Sequence, residues 1–458
     1  MKKNLFTTSL LAWLMCLLMP ARVMAQTEVD GLWYMFDENT KTATVVQYQG
    51  TKYEGSIVIP SSVNGYSVTS IGSGAFYECH YLTSITIPDG VTSIGEEAFN
   101  DCCYLTTIDI PNSVTTIGDE AFHDCSRLFR ITIPESVTSI GVNAFSRCIS
   151  LTSATIPGSV TNLGEFAFQN CVALTSVTIS EGVASIGYGT FSGCTSLTSI
   201  TIPESVTSIG LSAFNCSGLT SITIPRNVRS IGDGAFGYCN LTSINVESEN
   251  PFYDSRENCN AIINSYTDQL IVGCKNTIIP ENVTSIGWTA FDGCSGLTSI
   301  TIPEGVTRIG RYAFYDCSDL TTVTVKNPTP VAIESETFSN RANATLYVPA
   351  DSKAAYEAAD YWKEFKEIVE MPSIETFAVM LDGVEQTLKG TWVVQDNNDY
   401  IVTESGTYRV KSRKERSMGD VNGDDKITIA DVTALVNVIL GSGSVGHAVI
   451  YDVESVGE

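Results

Sequence analysis

A phrase of about 23 residues repeats along most of the chain and constrains its fold more than any other feature. Residues 197–216 read LTSITIPESVTSIGLSAFNC, and residues 297–317 read LTSITIPEGVTRIGRYAFYDC. Each copy ends in a cysteine, and these cysteines form a column at Cys79, Cys102, Cys125, Cys148, Cys171, Cys194, Cys216, Cys239, Cys294 and Cys317. The step is 23 residues, except 22 between Cys194 and Cys216 and 55 between Cys239 and Cys294. Self-similarity at such a period predicts a solenoid of stacked units.

One unit contains two short extended segments joined by tight turns. In residues 84–87 isoleucines alternate with serine and threonine, which predicts a strand with one buried face. Pro88 ends this strand because proline has no amide hydrogen for a ladder. Residues 91–94 form a second extended piece before a turn at Gly95. A unit this small cannot bury its own apolar face, so it must share core and hydrogen bonds with its neighbours.

The pattern LxxIxIPxxVxxIGxxAFxxC resembles the BspA-like (treponemal-type) leucine-rich repeats of bacterial surface proteins. In-register copies run from Val68 to about Thr324, over half of the chain. The resemblance implies a curved, parallel-strand solenoid and a role in adhesion or in binding host proteins. It supplies no shared ligand-binding residue.

The predicted fold is a mainly β, curved leucine-rich-repeat stack of about ten 23-residue units, capped at both ends. A small β module and a single EF-hand-like loop and helix follow it. The predicted segments are a signal peptide (1–25), an N-terminal cap (26–67), the solenoid (68–370) with an insertion (246–276) and a C-terminal cap (326–370), the β module (371–410), a linker (411–418), a dockerin-like half (419–441) and a tail (442–458).

Two of these segments carry more detailed expectations. In the insertion, residues 261–264 and 269–272 are predicted to form a hairpin, which is either a binding edge or a structural variant of the repeat. In the C-terminal cap, residues 353–369 are predicted to form one helix with its aromatic face inward.

The first 25 residues are typical of a secretory signal, with a lysine pair, a short apolar run and a Val-Met-Ala end. The apolar run is too short to span a bilayer, and no later stretch is predicted to be a transmembrane helix. The formal net charge is −25, and removal of the leader makes it more negative because the leader holds only basic charges. Such acidity argues against nucleic acid as a partner.

Secreted cysteines usually form disulfides, but the regular column argues for buried free thiols. In-register neighbours on parallel strands keep their Cβ atoms near the strand spacing of about 4.8 Å, which is longer than a disulfide prefers. Cys259 and Cys274 flank the predicted hairpin, and whether they pair is left open.

The outer face of the first strand of each unit is predicted to carry mostly serine and threonine. Variation concentrates in the turns, so the turns and edges are predicted to carry binding specificity. Aromatic side chains at such variable positions are the candidate interaction residues: Phe129, Phe166, Tyr188, Trp288 and Tyr312. The alternative is that these are scattered surface aromatics.

Near the C-terminus, residues 420–431 place oxygen-bearing side chains at the spacing of a calcium loop. The predicted Ca²⁺ ligands are Asp420, Asn422, Asp424, Asp431 and the backbone carbonyl of Lys426. An aspartate at the last position resembles a dockerin, which implies a cohesin-like partner. Asp425 stands where such loops use glycine, and only one half of the usual pair is complete. The alternative is a degenerate acidic tail.

The chain has three histidines and lacks the HExxH, GxSxG and P-loop motifs, so it is not expected to be an enzyme. The predicted function is a secreted or surface-exposed protein that binds other proteins, by adhesion to host matrix or cell-surface partners. The alternative is a structural or scaffold component assembled through the calcium-dependent module.

Overall fold

The computed structural model describes residues 26–373, 375–381, 384–395, 398–403, 406–415 and 449–456. The predicted signal peptide and the predicted calcium loop lie outside these residues. The chain divides into two compact units, Met1–Tyr347 with Ala355–Ile368, and Val348–Ala354 with Val369–Glu458.

The repeats form a β-solenoid, as the sequence predicts. Its strands are β1 (Gln26–Val29), β2 (Leu32–Asp37), β3 (Thr42–Val46), β4 (Gly55–Val58), β5 (Ser62–Val63), β6 (Tyr66–Ile71), β7 (Leu82–Thr86), β8 (Ser93–Ile94), β9 (Thr107–Asp109), β10 (Thr116–Ile117), β11 (Arg130–Thr132), β12 (Ser139–Ile140), β13 (Ser153–Ile156), β14 (Asn162–Leu163), β15 (Ser176–Ile179), β16 (Ser185–Ile186), β17 (Ser208–Ile209), β18 (Ser221–Ile224), β19 (Ser230–Ile231), β20 (Ser243–Val246), β21 (Tyr253–Asp254), β22 (Ile262–Asn264), β23 (Gln269–Val272), β24 (Ser285–Ile286), β25 (Ser299–Ile302), β26 (Arg308–Ile309), β27 (Thr322–Val325), β28 (Thr345–Val348) and β29 (Glu367–Glu370).

Most regular turns contribute one strand to each of two sets of parallel ladders. One ladder runs in the order β15-β13-β11-β9-β7-β4, and the other ends in the order β6-β8-β10-β12-β14. The register follows the repeat, so that Ile117 lies beside Ile94 and Ile140. Equivalent residues therefore form straight columns through the stack.

The core is built from these columns. Phe99, Phe122 and Phe145 are fully buried, and their rings stack nearly parallel with centroids 5.1 and 5.3 Å apart. In these regular turns, each ring thus covers the ring of the turn before. The stack excludes water without any helix layer.

The solenoid has about 14 turns, more than the ten units that the cysteines mark. Turns without a column cysteine extend it. At the N-terminal end Tyr53 packs on Phe76 with ring centroids 5.1 Å apart, and at the other end Phe338 stacks on Phe314 at 4.7 Å.

The helix predicted over residues 353–369 is mostly absent. The structure has a short helix α1 (Lys353–Ala358), a 3₁₀ turn (Trp362–Glu364) and the strand β29. Tyr361 has a left-handed φ of 64°, which ends the helical path. Tyr356 and Trp362 are nevertheless buried as predicted, because their polar atoms donate to the carbonyls of Asn327 and Val331 at 2.7 Å.

In the insertion, β21, β22 and β23 form an antiparallel sheet, and β23 then pairs parallel with β24 of the next regular turn. Two other 3₁₀ turns lie at Arg256–Asn258 and Arg341–Asn343.

The second unit contains a closed sheet of five strands. They are β30 (Glu375–Leu381), β31 (Val384–Gln395), β32 (Asn398–Thr403), β33 (Gly406–Glu415) and β34 (Val449–Val456). Its first strands match the predicted β module. However, β33 continues into the predicted linker, and β34 lies in the predicted tail. The two strands pair with each other, and that partnership joins segments far apart in the sequence.

All thirteen cysteines among the described residues are free thiols. Cys259 and Cys274, whose pairing the sequence left open, are buried and not bridged. A typical column thiol, Cys125, donates to the backbone oxygen of Phe99 at 3.2 Å. Burial raises the pKa of such thiols, for Cys194 to about 12.

The prediction that Cys216 belongs to the buried cysteine column is wrong. Cys216 is exposed with a left-handed φ of 55°, and Ser217 takes the buried position, with its hydroxyl 3.2 Å from the Cys239 sulfur. The 22-residue step from Cys194 to Cys216 arises because Cys216 lies one residue before the column position, which Ser217 occupies 23 residues after Cys194. The serine fits because its hydroxyl finds a partner in the buried column.

Candidate functional site

The residues after the Ile-Gly pair of each turn form one edge of the solenoid, called here the turn edge. The backbone N–H groups of Phe166 and Gly189 donate to the carbonyls of Tyr188 and Leu211 on the next turn, at 2.8 and 3.0 Å. Residues at the same position on successive turns are therefore neighbours in space. Their side chains combine into one surface on a rigid backbone.

Four adjacent turns place apolar side chains on this edge. Val142, Tyr188 and Leu211 are 38%, 40% and 46% exposed, and Phe166 is half-buried. The rings of Phe166 and Tyr188 meet at a centroid distance of 4.4 Å and an interplanar angle of 56°. We call these four residues the apolar patch.

Carboxylates occupy the position of Val142, Tyr188 and Leu211 on the other turns of this region. Glu96 and Asp119 precede the patch, the exposed Glu165 lies within it next to Phe166, and Asp233 follows it. The Asp119 carboxylate accepts the backbone N–H of Val142 at 2.8 Å, which fixes one of these charges beside the patch. Apolar contact area with an acidic surround is a surface that a partner with basic residues would complement.

A second aromatic group lies farther along the same edge. Trp288 is 52% exposed and stacks on Tyr312, with ring centroids 6.2 Å apart and an interplanar angle of 20°. The guanidinium of Arg311 lies 5.1 Å from the Tyr312 ring centre. This pair adds a planar, amphipathic contact surface.

The remaining candidate, Phe129, does not lie on the turn edge. Its backbone sits between Thr106 and Thr152 at the start of the first ladder, with N–H···O distances of 3.1 and 3.2 Å. The structure thus brings four of the five sequence candidates onto one edge, in two groups, and leaves Phe129 on a different face.

A further group of surface side chains was not predicted from the sequence. Its members, Tyr81, Tyr104 and Arg127, each lie two residues after a column cysteine. Tyr81 and Tyr104 are exposed, with ring centroids 5.6 Å apart, and the Arg127 guanidinium lies 3.9 Å from the Tyr104 ring centre. Comparing this column from turn to turn would have revealed it. Val142 and Leu211 were missed because only aromatic residues were considered.

One column of surface threonines, just before the second ladder, is bonded within the stack. The hydroxyls of Thr92, Thr115 and Thr138 each donate to the backbone oxygen of the previous turn at 3.2–3.3 Å. Groups already bonded within the stack have less to offer a partner. These threonines are distinct from the serines and threonines on the outer face of the first strands, which are exposed.

The predicted calcium ligands Asp420, Asn422, Asp424, Lys426 and Asp431 all lie outside the described residues. Calcium binding and the cohesin-like partner therefore stay predictions. No helix among the described residues is long and apolar enough to cross a membrane.

A stack of short parallel strands with in-register apolar columns defines a leucine-rich-repeat solenoid. The model of the BspA type leucine rich repeat region matches residues 48–172, 138–260 and 261–359, in six copies. The match covers more than half of the chain, and the chain belongs to this family.

Solved structures of bacterial leucine-rich-repeat proteins are similar to the chain. A leucine rich cell surface protein from Faecalibacterium prausnitzii A2-165 is 26% identical, with a TM-score of 0.54, over 76% of this chain and 95% of that one. A leucine-rich repeat protein from Bacteroides ovatus is 25% identical, with a TM-score of 0.49, over 75% and 99%. No curated protein matches the chain.

Proposed function

We propose that the protein is secreted or displayed on the bacterial surface and binds other proteins there through the turn edge, without catalysis. The observation that carries the proposal is the apolar patch: on four consecutive turns, three exposed apolar side chains and the half-buried ring of Phe166 lie on a backbone held by inter-turn hydrogen bonds. Contiguous exposed apolar surface is typical of interaction sites. Rigid backbone reduces the entropy that binding must overcome.

The surroundings favour a protein partner with basic character. Tyrosine, tryptophan and arginine are the residues that most often dominate binding energy at protein interfaces, and all three occur along the turn edge at Tyr188, Trp288 and Arg311. The excess of acidic residues adds long-range attraction to a basic partner. Adhesion to host matrix or cell-surface proteins is the activity that agrees best with this surface and with the cell-surface neighbour.

The test is binding of the mature chain, residues 26–458, to immobilised matrix and serum proteins with and without Ca²⁺. Saturable binding to one or two of them is expected. Tyr188→Ser and Leu211→Ser are each expected to weaken it about 10- to 30-fold, as for central interface residues. Phe129→Ser is the matched control, since it removes an equally exposed ring from another face and is expected to change affinity less than about twofold.

Equal losses for Phe129→Ser and Tyr188→Ser would contradict the assignment to the turn edge. Absence of binding across the panel would contradict adhesion to these proteins. Binding that requires Ca²⁺ and is lost in Asp420→Ala would instead favour the alternative, a scaffold component assembled through the C-terminal loop.

A further inference from the structure

Three side chains with different metal-binding chemistry meet on the first two cysteine-bearing turns. His80 follows Cys79, and Asp101 and Cys103 flank Cys102 on the next turn. The backbone N–H of Tyr104 donates to the carbonyl of His80 at 3.1 Å, so the stacking itself sets the two turns side by side.

The donor atoms are close to one another. The Cys103 sulfur lies 3.8 Å from His80 Nδ1 and donates to Asp101 Oδ1 at 2.8 Å. His80 Nδ1 lies 3.6 Å from Asp101 Oδ2. In tetrahedral zinc sites with bonds of about 2.0–2.3 Å, neighbouring ligand atoms are about 3.3–3.6 Å apart. Small side-chain rotations therefore suffice to place all three atoms around one ion.

The cluster is open to solvent, unlike the buried column cysteines. The side chains of His80 and Asp101 are 45% and 37% exposed, and Cys103 is half-buried. A column thiol such as Cys102 is buried and bonded to a backbone oxygen. An ion from solution can reach the cluster while the column stays sealed.

We propose that His80, Asp101 and Cys103 bind a zinc ion, with one coordination position left to solvent. Imidazole nitrogen, thiolate sulfur and carboxylate oxygen are the three donor types that zinc accepts in proteins. The thiolate and carboxylate together balance the charge of the ion. On binding, the Cys103 thiol releases its proton to solvent, and the imidazole hydrogen, which faces the Asp101 backbone oxygen at 3.0 Å, moves to Nε2 so that Nδ1 is free to coordinate.

Cobalt titration of the mature chain, with a non-thiol reductant present, tests the site. A thiolate-to-cobalt charge-transfer band and intense visible bands are expected to saturate at one cobalt per chain and to disappear when zinc is added. Cys103→Ser is expected to abolish the charge-transfer band. His80→Ala is expected to weaken cobalt binding by at least about tenfold, since even outer ligands change affinity by about 10–100-fold.

Two controls separate this site from other thiols and from the C-terminal loop. Cys216→Ser removes an exposed cysteine away from the cluster and is expected to leave the band unchanged. Asp420→Ala is expected to do the same, because an oxygen-ligand loop gives no thiolate band. Absence of the band in the wild-type chain, or its persistence in Cys103→Ser, would overturn the proposal.

Discussion

A regular turn and the inserted turn make the same backbone hydrogen bond to the next turn but carry different side chains at that position. In the regular turn that contains Phe99, the backbone N–H of Phe99 donates to the carbonyl of Ala121 on the next turn at 2.7 Å. In the inserted turn, Gly273 makes the equivalent bond to Ala290, also at 2.7 Å. This backbone hydrogen bond is kept although the phenylalanine is missing.

The inserted turn has Gly273 at this position because the ring of Phe291 on the next turn occupies the space that a side chain would need. A Cβ at Gly273 would lie 2.1 Å from the ring of Phe291. The phenylalanine column thus skips this turn, and the hydrogen bonds around it are shared: Gly273 bonds to Ala290, while the N–H of Tyr238 donates past the insertion to the carbonyl of Asp292 at 3.0 Å. Backbone amides of both turns thereby find partners. Ser217 in place of a column cysteine shows the same tolerance on a smaller scale.

The largest loss of unfolding free energy is expected when a buried phenylalanine ring of a regular turn is removed. Phe145 is fully buried between Phe122 and Phe168, at centroid distances of 5.3 and 5.1 Å. Phe145→Ala should lower the free energy of unfolding by about 3–5 kcal/mol, because it leaves a cavity between two rings. Urea unfolding measures this, with Phe129→Ala as the exposed control at less than about 0.5 kcal/mol. A small effect would mean that the column collapses around the gap.

The insertion is expected to depend on a polar side chain instead. Asn250 is buried. It donates to the carbonyls of Pro225 and Val228 at 2.8 and 3.1 Å, and it accepts the N–H groups of Phe252 and Tyr253 at 2.8 and 2.9 Å. Asn250→Ala leaves these backbone groups without partners and should cost about 2–4 kcal/mol of unfolding free energy.

The control for this prediction is Asn276→Ala, which removes an exposed asparagine with one bond to Thr242 and should cost less than about 1 kcal/mol. Both are measured by urea unfolding. Similar values for the two variants would contradict the role given to Asn250.

Because neighbouring turns approach each other more closely at Gly164 than at the equivalent Gly187, replacing these two glycines by alanine should change stability by different amounts. A Cβ at Gly164 would lie 2.3 Å from the Gly141 backbone, whereas at Gly187 the nearest atom would be 3.3 Å away. Gly164→Ala should therefore destabilise by about 1–3 kcal/mol, through forced separation of the turns. Gly187→Ala should cost less than about 1 kcal/mol, and equal costs in thermal unfolding would refute the close-approach explanation.

The smallest change in stability is expected at Asp292, which lies on the turn that follows the insertion. Burial, and then the charge of Asp316, raises the pKa of Asp292 from 3.8 to about 6. The folded chain thus holds this proton more tightly than the unfolded chain, so stability from this group is present at low pH and is lost as pH rises from about 4 to about 6. Asp292→Asn should stabilise by about 1–2 kcal/mol at pH 7.5, with solvent screening allowed for, and by little at pH 4.

Urea midpoints at the two pH values check this prediction. The exposed Asp319→Asn serves as control and should change stability by less than about 0.5 kcal/mol at both. A gain for Asp292→Asn that is the same at pH 4 and pH 7.5 would show that charge is not its cause.

The sequence by itself determined the repeat, its period and which residues face the core. The 23-residue spacing, the alternation in the strands and the recurring Ala-Phe pair each follow from local chemistry that every unit repeats. It also determined that Phe166, Tyr188, Trp288 and Tyr312 stand at variable turn positions.

Only the tertiary structure decided which of these residues become neighbours and how irregular turns fit. The apolar patch needs Val142 and Leu211 beside the two aromatics, and that depends on the exact stacking register. The same holds for Ser217 in the cysteine column, for Gly273 in place of a phenylalanine and for the partnership of β33 with β34. The physical reason is that contacts between turns join residues 16 or more positions apart, as Gln269 and Ser285 are, so that no short local window of sequence contains both partners.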